Sequence, residues 1–312
     1  MELLQSDLWL DQPDAHDRID QRLASGRISP DEAEKLRTFV DEGYLTFSID
    51  IDAEFCEGFD NDVSRLWDER PADLAVSPPM FEGPTSFRDF AGLTRPVGYR
   101  IPDLHSHSDR ALDLYLDPVM FRMVELIYDD RAIAFQSLYF EFGSQQALHR
   151  DPMFVATNPA AHLLASWVAL EDITAESGPL AYVPESHRLP WFEFEPGSVL
   201  CGHKASPAKR AEFAKTTQDA MRERGLETQA FTCRRGDAFI WHAGLVHGGS
   251  PIEDPSQTRR SFVTHYCTEA NYHTRTAGMR VRDGDGWRRV TSTTERVIER
   301  DQQRGLDNPV RQ

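Results

Sequence analysis

Helical patterns dominate the first part of the chain. In the segment SPDEAEKLRTFVDEG, Ser29 can cap a helix, Pro30 suits its first position and Gly43 its end. The next stretch, YLTFSIDI, alternates polar and apolar residues and predicts a strand. The segment DAEFCEGFDNDVSRLWDE then has the spacing of an amphipathic helix, whose apolar face comprises Phe55, Phe59, Val63 and Leu66.

A third helix, DPVMFRMVELIYDD with Pro118 near its start, precedes a region of strands. These are short β-branched or aromatic segments separated by turn residues, at 132–142, 163–172, 180–184, 230–244 and 259–270. Because strands follow one another with few helices between them, the pattern predicts antiparallel sheets packed as a sandwich or jelly roll. The expected fold is therefore mainly β with flanking helices.

One helical segment interrupts the strands. Residues 206–225 begin with Ser206 and Pro207, a capping residue and a first-turn proline, and end at Gly225. A helical insert of this kind, near 203–225, is a candidate lid at one mouth of the sandwich.

The remaining segments complete the expected organisation as one domain, 1–312. Residues 71–100 form an irregular segment rich in proline and phenylalanine, with Phe81, Phe87 and Phe90. The polar tail from about 284 predicts a final helix around TTERVIERDQQRG. We expect a helix-rich part at about 1–130, a jelly-roll core at about 131–270 and a tail at about 271–312.

Composition and charge narrow the possible partners. The net charge of −17, from 51 acidic and 34 basic residues, argues against nucleic-acid binding and, more weakly, against polyanionic substrates. The chain contains no apolar run of about 18 residues and does not begin with a secretory signal pattern. We therefore expect a cytoplasmic protein with reduced thiols, a small-molecule substrate and no membrane partner, as a monomer or homodimer.

Candidate chemistry begins in the segment LHRDPMF. In a strand, His149 and Asp151 would point to the same face, and Pro152 favours extended backbone at Asp151. A third ligand could come from His247, which ends a strand-like run just before two glycines. Two imidazoles and one carboxylate leave open positions on an octahedral ion, which suits non-haem Fe(II). Taken alone, the pair also fits two polar residues at a strand end.

An arginine follows these residues in the chain. Arg259 stands 12 residues after His247, at the start of the next predicted strand. Its guanidinium can bind a carboxylate through two parallel hydrogen bonds. Arg260 is the rival for that role, since neighbours on a strand face opposite ways.

Several motifs in this order resemble the phytanoyl-CoA dioxygenase family of Fe(II)- and 2-oxoglutarate-dependent oxygenases. The similar segments are FVDEGYLTF, LHRD, WVALEDITAESGPLAYVPESH, GDAFIWHAGLVHGGS and RRSFVTHY. The resemblance covers roughly residues 37–270, and their joint order is more specific than any single motif. It implies a double-stranded β-helix, also called a jelly roll.

The resemblance also implies roles for particular residues. His149, Asp151 and His247 would bind iron, and Arg259 would bind the distal carboxylate of 2-oxoglutarate. Arg259 is preferred over Arg260 because it lies seven residues before Tyr266, the family-like spacing. Trp167 stands where the family often has a tryptophan near the cosubstrate, and Gln136 is a candidate for its other end. A core aromatic and an ordinary strand residue are the competing interpretations of these two.

Other histidines receive structural interpretations. His242 precedes His247 by five residues and would face the opposite side of a regular strand. The remaining structural candidates are His162, His187 and His265, while His105 and His107 are expected in a solvated loop. The sequence departs from the family pattern at Arg150, where many relatives have glutamine, and in PESH. Related halogenases have a small residue in place of the carboxylate, so that chloride can bind the iron. The resemblance therefore disfavours halogenation here, because Asp151 is present.

These expectations define an oxygenase that uses Fe(II), 2-oxoglutarate and O₂. The expected outcome is hydroxylation of a C–H bond in a small natural product, with release of succinate and CO₂. Candidate substrate contacts lie in segments 81–100 and 201–225 and at Met153, Phe154 and Trp241. Alternatives are an acyl-CoA or amino-acid substrate, a catalytically silent jelly-roll binding module, and a zinc hydrolase that would have no use for Arg259.

Overall fold

A computed structural model describes most of the chain. The residues described are 6, 8–77, 87, 95, 98–155, 157, 159–201, 205–268 and 271, with the backbone alone of 85–86, 282–283 and 286–287. Phe81, Phe90 and the helix predicted in the C-terminal tail lie outside the described residues. In the described part of the chain, no helix combines the length and apolar character that crossing a membrane requires.

Six α-helices are described, and in five of them the side chain of the N-cap residue accepts a hydrogen bond from the backbone of the first turn. In α2, the hydroxyl of Ser29 accepts a hydrogen bond from the Glu32 amide, and Glu32 accepts one from the Ser29 amide. Gly43 ends this helix in the left-handed conformation, with φ of 82°. The helices are α1 (Ala15–Ala24), α2 (Pro30–Glu42), α3 (Ala53–Glu69), α4 (Asp109–Tyr115), α5 (Pro118–Tyr128) and α6 (Pro207–Arg224).

The described strands form one large and one small antiparallel sheet, with two further sheets of two short strands each. The large sheet has the order β1-β9-β6-β11-β5-β4, and the small sheet has the order β10-β7-β8. In chain order the strands are β1 (Tyr44–Ser48), β2 (Ala75–Val76), β3 (Thr85–Ser86), β4 (Arg100–Pro102), β5 (Ala132–Phe140), β6 (Leu164–Ala169), β7 (Leu180–Tyr182), β8 (Gln229–Phe231), β9 (Asp237–His242), β10 (His247–Gly249), β11 (Ser261–Thr268), β12 (Arg282–Asp283) and β13 (Gly286–Trp287).

The two faces of the large sheet bury different partners. Phe262 of β11 faces the helices, and its ring lies 5.9 Å from that of Phe59 in α3. Val263, the next residue, faces the small sheet together with Phe239, whose ring lies 4.9 Å from that of Tyr182 in β7. This alternation along a strand buries one apolar layer against the helices and a second between the sheets. The mainly β sandwich with flanking helices is thus confirmed.

One predicted strand is divided in the structure. The run 230–244 forms β8 in the small sheet and β9 in the large sheet. A turn separates them, in which the Asp237 amide donates to the Arg234 carbonyl oxygen at 3.0 Å. Gly236 in this turn has φ of 86°, a backbone conformation that glycine adopts without steric cost. The single-strand prediction was wrong because the run contains a turn signal, Arg234, Arg235, Gly236 and Asp237, which ends one strand before the next begins.

The helical insert packs beside the inter-sheet layer. Phe213 of α6 is buried against Phe194 and Met153, and Met221 is buried against Val246. The Cys201 amide also donates a hydrogen bond to the carbonyl oxygen of Met153 at 2.9 Å. The insert therefore contacts the chain just after Asp151 and just before His247.

Candidate metal centre

Three side chains meet between the two sheets. His149 and His247 lie opposite each other in a β-bridge, with reciprocal backbone hydrogen bonds of 2.8 and 3.0 Å. Asp151 Oδ1 lies 3.7 Å from Nε2 of His149 and 3.4 Å from Nε2 of His247. All three side chains are buried, and their donor atoms lie within 4.8 Å of one another.

Asp151 reaches this position through a turn. It begins a short 3₁₀ turn, Asp151–Met153, in which the Phe154 amide donates to the Asp151 carbonyl oxygen at 2.8 Å. The prediction of extended backbone at Asp151 was wrong, because these turn hydrogen bonds outweigh the extended preference of a residue before proline. Arg150 remains extended, with φ of −121° and ψ of 137°.

The backbone orients both imidazoles. Nδ1 of His149 lies 2.9 Å from the Ala147 carbonyl oxygen, and Nδ1 of His247 lies 3.0 Å from that of Leu245. A carbonyl oxygen only accepts hydrogen bonds, so each Nδ1 carries its proton and donates. The Nε2 atoms therefore turn their acceptor electron pairs toward Asp151, as metal-binding histidines do.

The electrostatics favour an ionised Asp151 and a neutral His149. Burial, together with the nearby His247, lowers the pKa of His149 to about 3. Burial alone would raise the pKa of Asp151, but His247 and His265 hold it well below its usual range. Burial likewise opposes protonation of His247, yet the Asp151 carboxylate raises that pKa above its ordinary value. Two nitrogens and one carboxylate oxygen on one side of a buried site fit Fe(II).

The second oxygen of Asp151 has its own partners, which the sequence did not reveal. The indole Nε1 of Trp241 donates to Oδ2 at 2.8 Å. Nε2 of His265, which was interpreted as structural, lies 3.7 Å from the same oxygen. A strand-end tryptophan and a strand histidine carry no motif that points to this contact. The alternation of β9, which directs Trp241 and not His242 inward, is the available signal.

Arg259 and Arg260 separate as neighbours on a strand do. Arg260 binds Asp60 and Glu171 at 3.0 Å each and lies half-buried outside the sandwich. Arg259 is buried, its guanidinium carbon lies 5.7 Å from the centre of the Trp167 ring, and Nη1 donates to Ser261. Burial lowers the pKa of Arg259 to about 10. Among the described residues, no carboxylate forms an ion pair with Arg259, and its Nε has no hydrogen-bond partner.

Trp167 and Gln136 both face the inter-sheet space. Gln136 pairs directly with His265, and Trp167 pairs with Val263 one row further along β11. Opposed residues in antiparallel strands share a face, so both side chains lie on the Arg259 side of the sheet. Within the described residues, the buried indole Nε1 of Trp167 has no hydrogen-bond partner.

Arg100 is a further cation that the sequence analysis missed. It pairs with Phe140 across β4 and β5 and so shares the inner face, and its charge contributes to lowering the pKa of His149. Burial also lowers the pKa of Arg100 itself. In the described part of the chain, its side chain has no ion-pair partner. A lone arginine in an irregular segment gives no pattern from which this placement could be predicted.

Two of the predicted substrate contacts differ in exposure. Phe154 is 37% exposed, and its ring lies 5.5 Å from that of His149. Met153 is buried beneath the insert, in the cluster with Phe194 and Phe213. Phe154 therefore lies at the boundary between the site and its surroundings, whereas Met153 lies behind it.

His242, His187 and His105 lie away from His149, Asp151 and His247. His242 Nε2 lies 3.2 Å from Asp11 on the helix side of the large sheet, and His187 Nε2 lies 3.2 Å from the Val40 carbonyl oxygen. His105 is buried against Ser137, contrary to the prediction of a solvated loop, because its ring stacks on Tyr115. These histidines are placed as structural residues of the helix layer.

Known proteins with similar sequences cover part of this chain. Phytanoyl-CoA dioxygenase domain-containing protein 1 of Mus musculus is 30% identical over 88 residues, which are 27% of this chain and 30% of that protein. Its homolog from Dictyostelium discoideum is 27% identical over 135 residues, 42% of this chain and 43% of that protein. The matched part thus spans less than half the length of these curated relatives.

Solved structures with a similar fold align with a larger part of this chain than the curated relatives do. The non-heme alpha ketoglutarate dependent carbocyclase SnoK has a TM-score of 0.58 at 17% identity, covering 78% of this chain and 86% of that one. The non-heme alpha ketoglutarate dependent epimerase SnoN has a TM-score of 0.55 at 20% identity, covering 76% of this chain and 83% of that one. EctD from S. alaskensis has a TM-score of 0.53 at 18% identity, covering 78% of each chain. These likenesses confirm the fold.

The family model extends over most of the sandwich. Residues 28–261 match the model of Phytanoyl-CoA dioxygenase (PhyH), a stretch that runs from the capping residues of α2 to the first residue of β11. It includes His149, Asp151, His247 and Arg259, the four residues on which the resemblance of the sequence rested. The chain therefore belongs to the phytanoyl-CoA dioxygenase family.

Proposed function

We propose that the protein is an Fe(II)- and 2-oxoglutarate-dependent dioxygenase that hydroxylates a C–H bond of a small organic molecule. The observation that carries this proposal is the meeting of His149, Asp151 and His247 in one buried site. In this proposal the two Nε2 atoms and Asp151 Oδ1 hold the iron. Three ligands on one side leave positions for a chelating cosubstrate and for O₂.

The unpaired inner cations support 2-oxoglutarate as cosubstrate. A buried guanidinium without a counter-ion is costly, and Arg259 has none among the described residues, while Trp167 presents an unused indole N–H beside it. The distal carboxylate of 2-oxoglutarate would satisfy both groups. Arg100, on the same face and close enough to influence His149, is placed to face the carboxylate at the other end. Gln136 is a second candidate there.

In this proposal the metal and the cosubstrate supply the oxidation, and the protein chain holds and encloses them. When bound, Fe(II) and 2-oxoglutarate would supply the oxidation: the oxo acid loses CO₂ and becomes succinate, and O₂ gives one oxygen atom to succinate and one to the hydroxylated substrate. The chain holds the carboxylate of Asp151 ionised and the imidazole of His149 neutral at physiological pH. Burial of the ligands keeps bulk water from the reacting positions.

Phe154 and two proteins of similar fold support a small natural-product substrate. Phe154 presents an exposed aromatic ring beside His149, which suits an apolar part of a substrate. SnoN and SnoK, two of the structurally similar proteins, come from nogalamycin biosynthesis. We infer a secondary metabolite with an apolar portion, and an acyl-CoA is disfavoured by the net charge of −17.

Turnover of the cosubstrate tests this function. Purified protein with Fe(II), ascorbate and 2-oxoglutarate is expected to form succinate above the background without enzyme, and more so with a true substrate. Asp151→Ala is expected to lose this activity, because an uncharged methyl cannot bind the metal. Equal turnover by both proteins would show that Asp151 is not a ligand.

The same assay separates the competing functions. A silent binding module would form no succinate with any substrate screened and would leave 2-oxoglutarate unconsumed. A zinc hydrolase would be active without 2-oxoglutarate and would not respond to replacement of Arg259. Either result would reject the dioxygenase.

A further inference from the structure

The two oxygens of Asp151 have different surroundings. Oδ1 faces Nε2 of both ligand histidines, at 3.7 and 3.4 Å. Oδ2 points away from them and accepts the hydrogen bond of the Trp241 indole at 2.8 Å, with His265 Nε2 at 3.7 Å. A carboxylate beside a metal can coordinate through one oxygen or through both. Here the second oxygen already has a donor.

The position of the Trp241 indole is itself fixed. Trp241 is buried in β9, between Tyr44 of β1 and Ala165 of β6 in the sheet register. Its ring lies 4.9 Å from the ring of His247 and 6.1 Å from that of Phe239. Rings packed on these sides restrict the rotamers that remain possible. The N–H is therefore held toward Oδ2 before any ion binds.

His265 closes the other side of the same oxygen. It is buried in β11, opposite Gln136 and Ala165. Its Nε2 lies 3.7 Å from Oδ2, beyond hydrogen-bond distance. His265 therefore acts on Oδ2 only electrostatically, as a nearby polar group. Trp241 thus supplies the one hydrogen bond that the described residues give to Oδ2.

We propose that Trp241, flanked by His265, is a positioning residue that restricts Asp151 to one-oxygen coordination of the metal. This inference rests on the proposed function. Its chemical importance lies in the number of free positions: three protein atoms leave three positions on an octahedral ion, while a two-oxygen Asp151 leaves two. The cosubstrate needs two of them and O₂ needs the third.

Bound water measures this difference without any turnover. Mn(II) is used as the probe in the full-length protein, and the relaxation rate of water protons reports how many waters each bound ion carries. The wild type is expected to hold roughly three waters on Mn(II). In Trp241→Phe, which keeps a ring but removes the N–H, Oδ2 is expected to take one position, so the relaxation per bound ion falls by about a third.

The cosubstrate provides a second measurement on the same variant. In Trp241→Phe, 2-oxoglutarate would fill both positions that a two-oxygen Asp151 leaves. The variant with Mn(II) and saturating 2-oxoglutarate is therefore expected to carry no water on the ion, whereas the wild type keeps about one. Trp9→Phe is the matched control. It removes another buried indole hydrogen bond, 3.1 Å to the Leu126 carbonyl oxygen, and is expected to change neither measurement.

His265→Leu, which leaves no hydrogen-bond donor at this position, decides the matter if Trp241→Phe does not fold. Removing the imidazole edge is expected to lower the bound-water relaxation in the same direction, though less. Unchanged water relaxation in the folded variants, both without and with 2-oxoglutarate, would overturn the inference. A wild type that binds no metal ion at all would instead reject the proposed function, so the two failures are distinguishable.

Discussion

Arg259 and Arg260 are neighbours in the chain, but their charges have different surroundings. Arg260 neutralises two surface carboxylates, Asp60 and Glu171. Arg259 is buried, and in the described part of the structure it has no acidic partner. A buried charge of this kind is strongly destabilising unless an anion accompanies it. The identity of that anion defines what the site binds.

Replacing each arginine by lysine tests this division. Arg259→Lys keeps the charge but loses the two-pronged geometry, so the KM for 2-oxoglutarate is expected to rise about 10- to 100-fold. The kcat at saturating cosubstrate should change much less. Arg260→Lys, the matched control, is expected to leave this KM near its wild-type value. Succinate formation against 2-oxoglutarate concentration measures both, and a larger effect of Arg260→Lys would contradict the assignment.

His187 predicts a pH dependence of stability. Burial, with His242 close by, lowers the pKa of His187 to about 3 in the folded protein, against about 6.5 in an unfolded chain. Between these values the unfolded state binds the additional proton, so the free energy of unfolding decreases as pH falls below about 6.5. The contribution of one such group is at most about 1.4 kcal/mol per pH unit.

Urea unfolding between pH 7 and pH 4 measures that contribution. His187→Gln is expected to be less stable than the wild type at pH 7, because it loses the hydrogen bond of the imidazole to the Val40 carbonyl oxygen. Its free energy of unfolding should fall less steeply as pH decreases, because glutamine does not titrate. Parallel curves for the two proteins would show that His187 does not stay neutral in the fold.

The sequence identified residues whose role follows from order and spacing. His149, Asp151, His247 and Arg259 stand in a recognisable sequence of motifs, and the structure brings the first three together. Trp241 and Arg100 could not be assigned in this way. Their roles depend on which partner stands across the sheet, and a single chain does not reveal that register.

At the scale of elements, two glycines after His247 allow close packing. A Cβ on Gly248 would lie 2.6 Å from the Gln146 carbonyl oxygen, which is closer than real Cβ atoms approach. The segment leading to His149 therefore crosses directly over β10. The absence of side chains at these glycines thus lets the segments that carry His149 and His247 come together.

Gly248→Ala tests this role. The methyl group must push the segment 146–148 away, so the variant is expected to lose about 1–3 kcal/mol of stability and to bind Fe(II) more weakly. Gly26→Ala is the control, because Gly26 has positive φ but no atom near its Cβ position. It is expected to lose about 1 kcal/mol from backbone strain, with unchanged Fe(II) affinity. Thermal unfolding and anaerobic Fe(II) titration distinguish the two.

The insert couples to the site through Met153. Phe213→Ala removes the buried ring that holds α6 against Phe194, and a loss of about 3–5 kcal/mol is expected for such a cavity. The hydrogen bond from the Cys201 amide to Met153 should then open more often. Faster hydrogen exchange at Cys201 measures this, while Leu200→Ala, at an exposed position, should leave it unchanged.

Helix ends were more predictable than strand membership. The capping residues Ser29 and Ser206 and the first-turn residue Pro118 act on their own turn, so their signal is local. The division of 230–244 between two sheets depends on distant partners, with β8 pairing to β7 and β9 to β6. Local sequence does not encode those pairings.

At the scale of the whole molecule, ligands that bind only the folded state raise its stability. Mn(II) with 2-oxoglutarate is expected to raise the Tm of the wild type, by an amount equivalent to about 2.7 kcal/mol at a hundredfold excess over Kd. A chelator should reverse the shift. Asp151→Ala should show no increase, and an equal increase in both proteins would place the metal elsewhere.

The backbone bridge between His149 and His247 has a further consequence for metal exchange. The two residues are roughly 100 positions apart, and an ion joining such distant points would ordinarily bear the entropy cost of closing a long loop. Here reciprocal hydrogen bonds of 2.8 and 3.0 Å already close that loop. Loss of the ion releases no long segment, so a chain that has lost its metal keeps the shape needed to take up another.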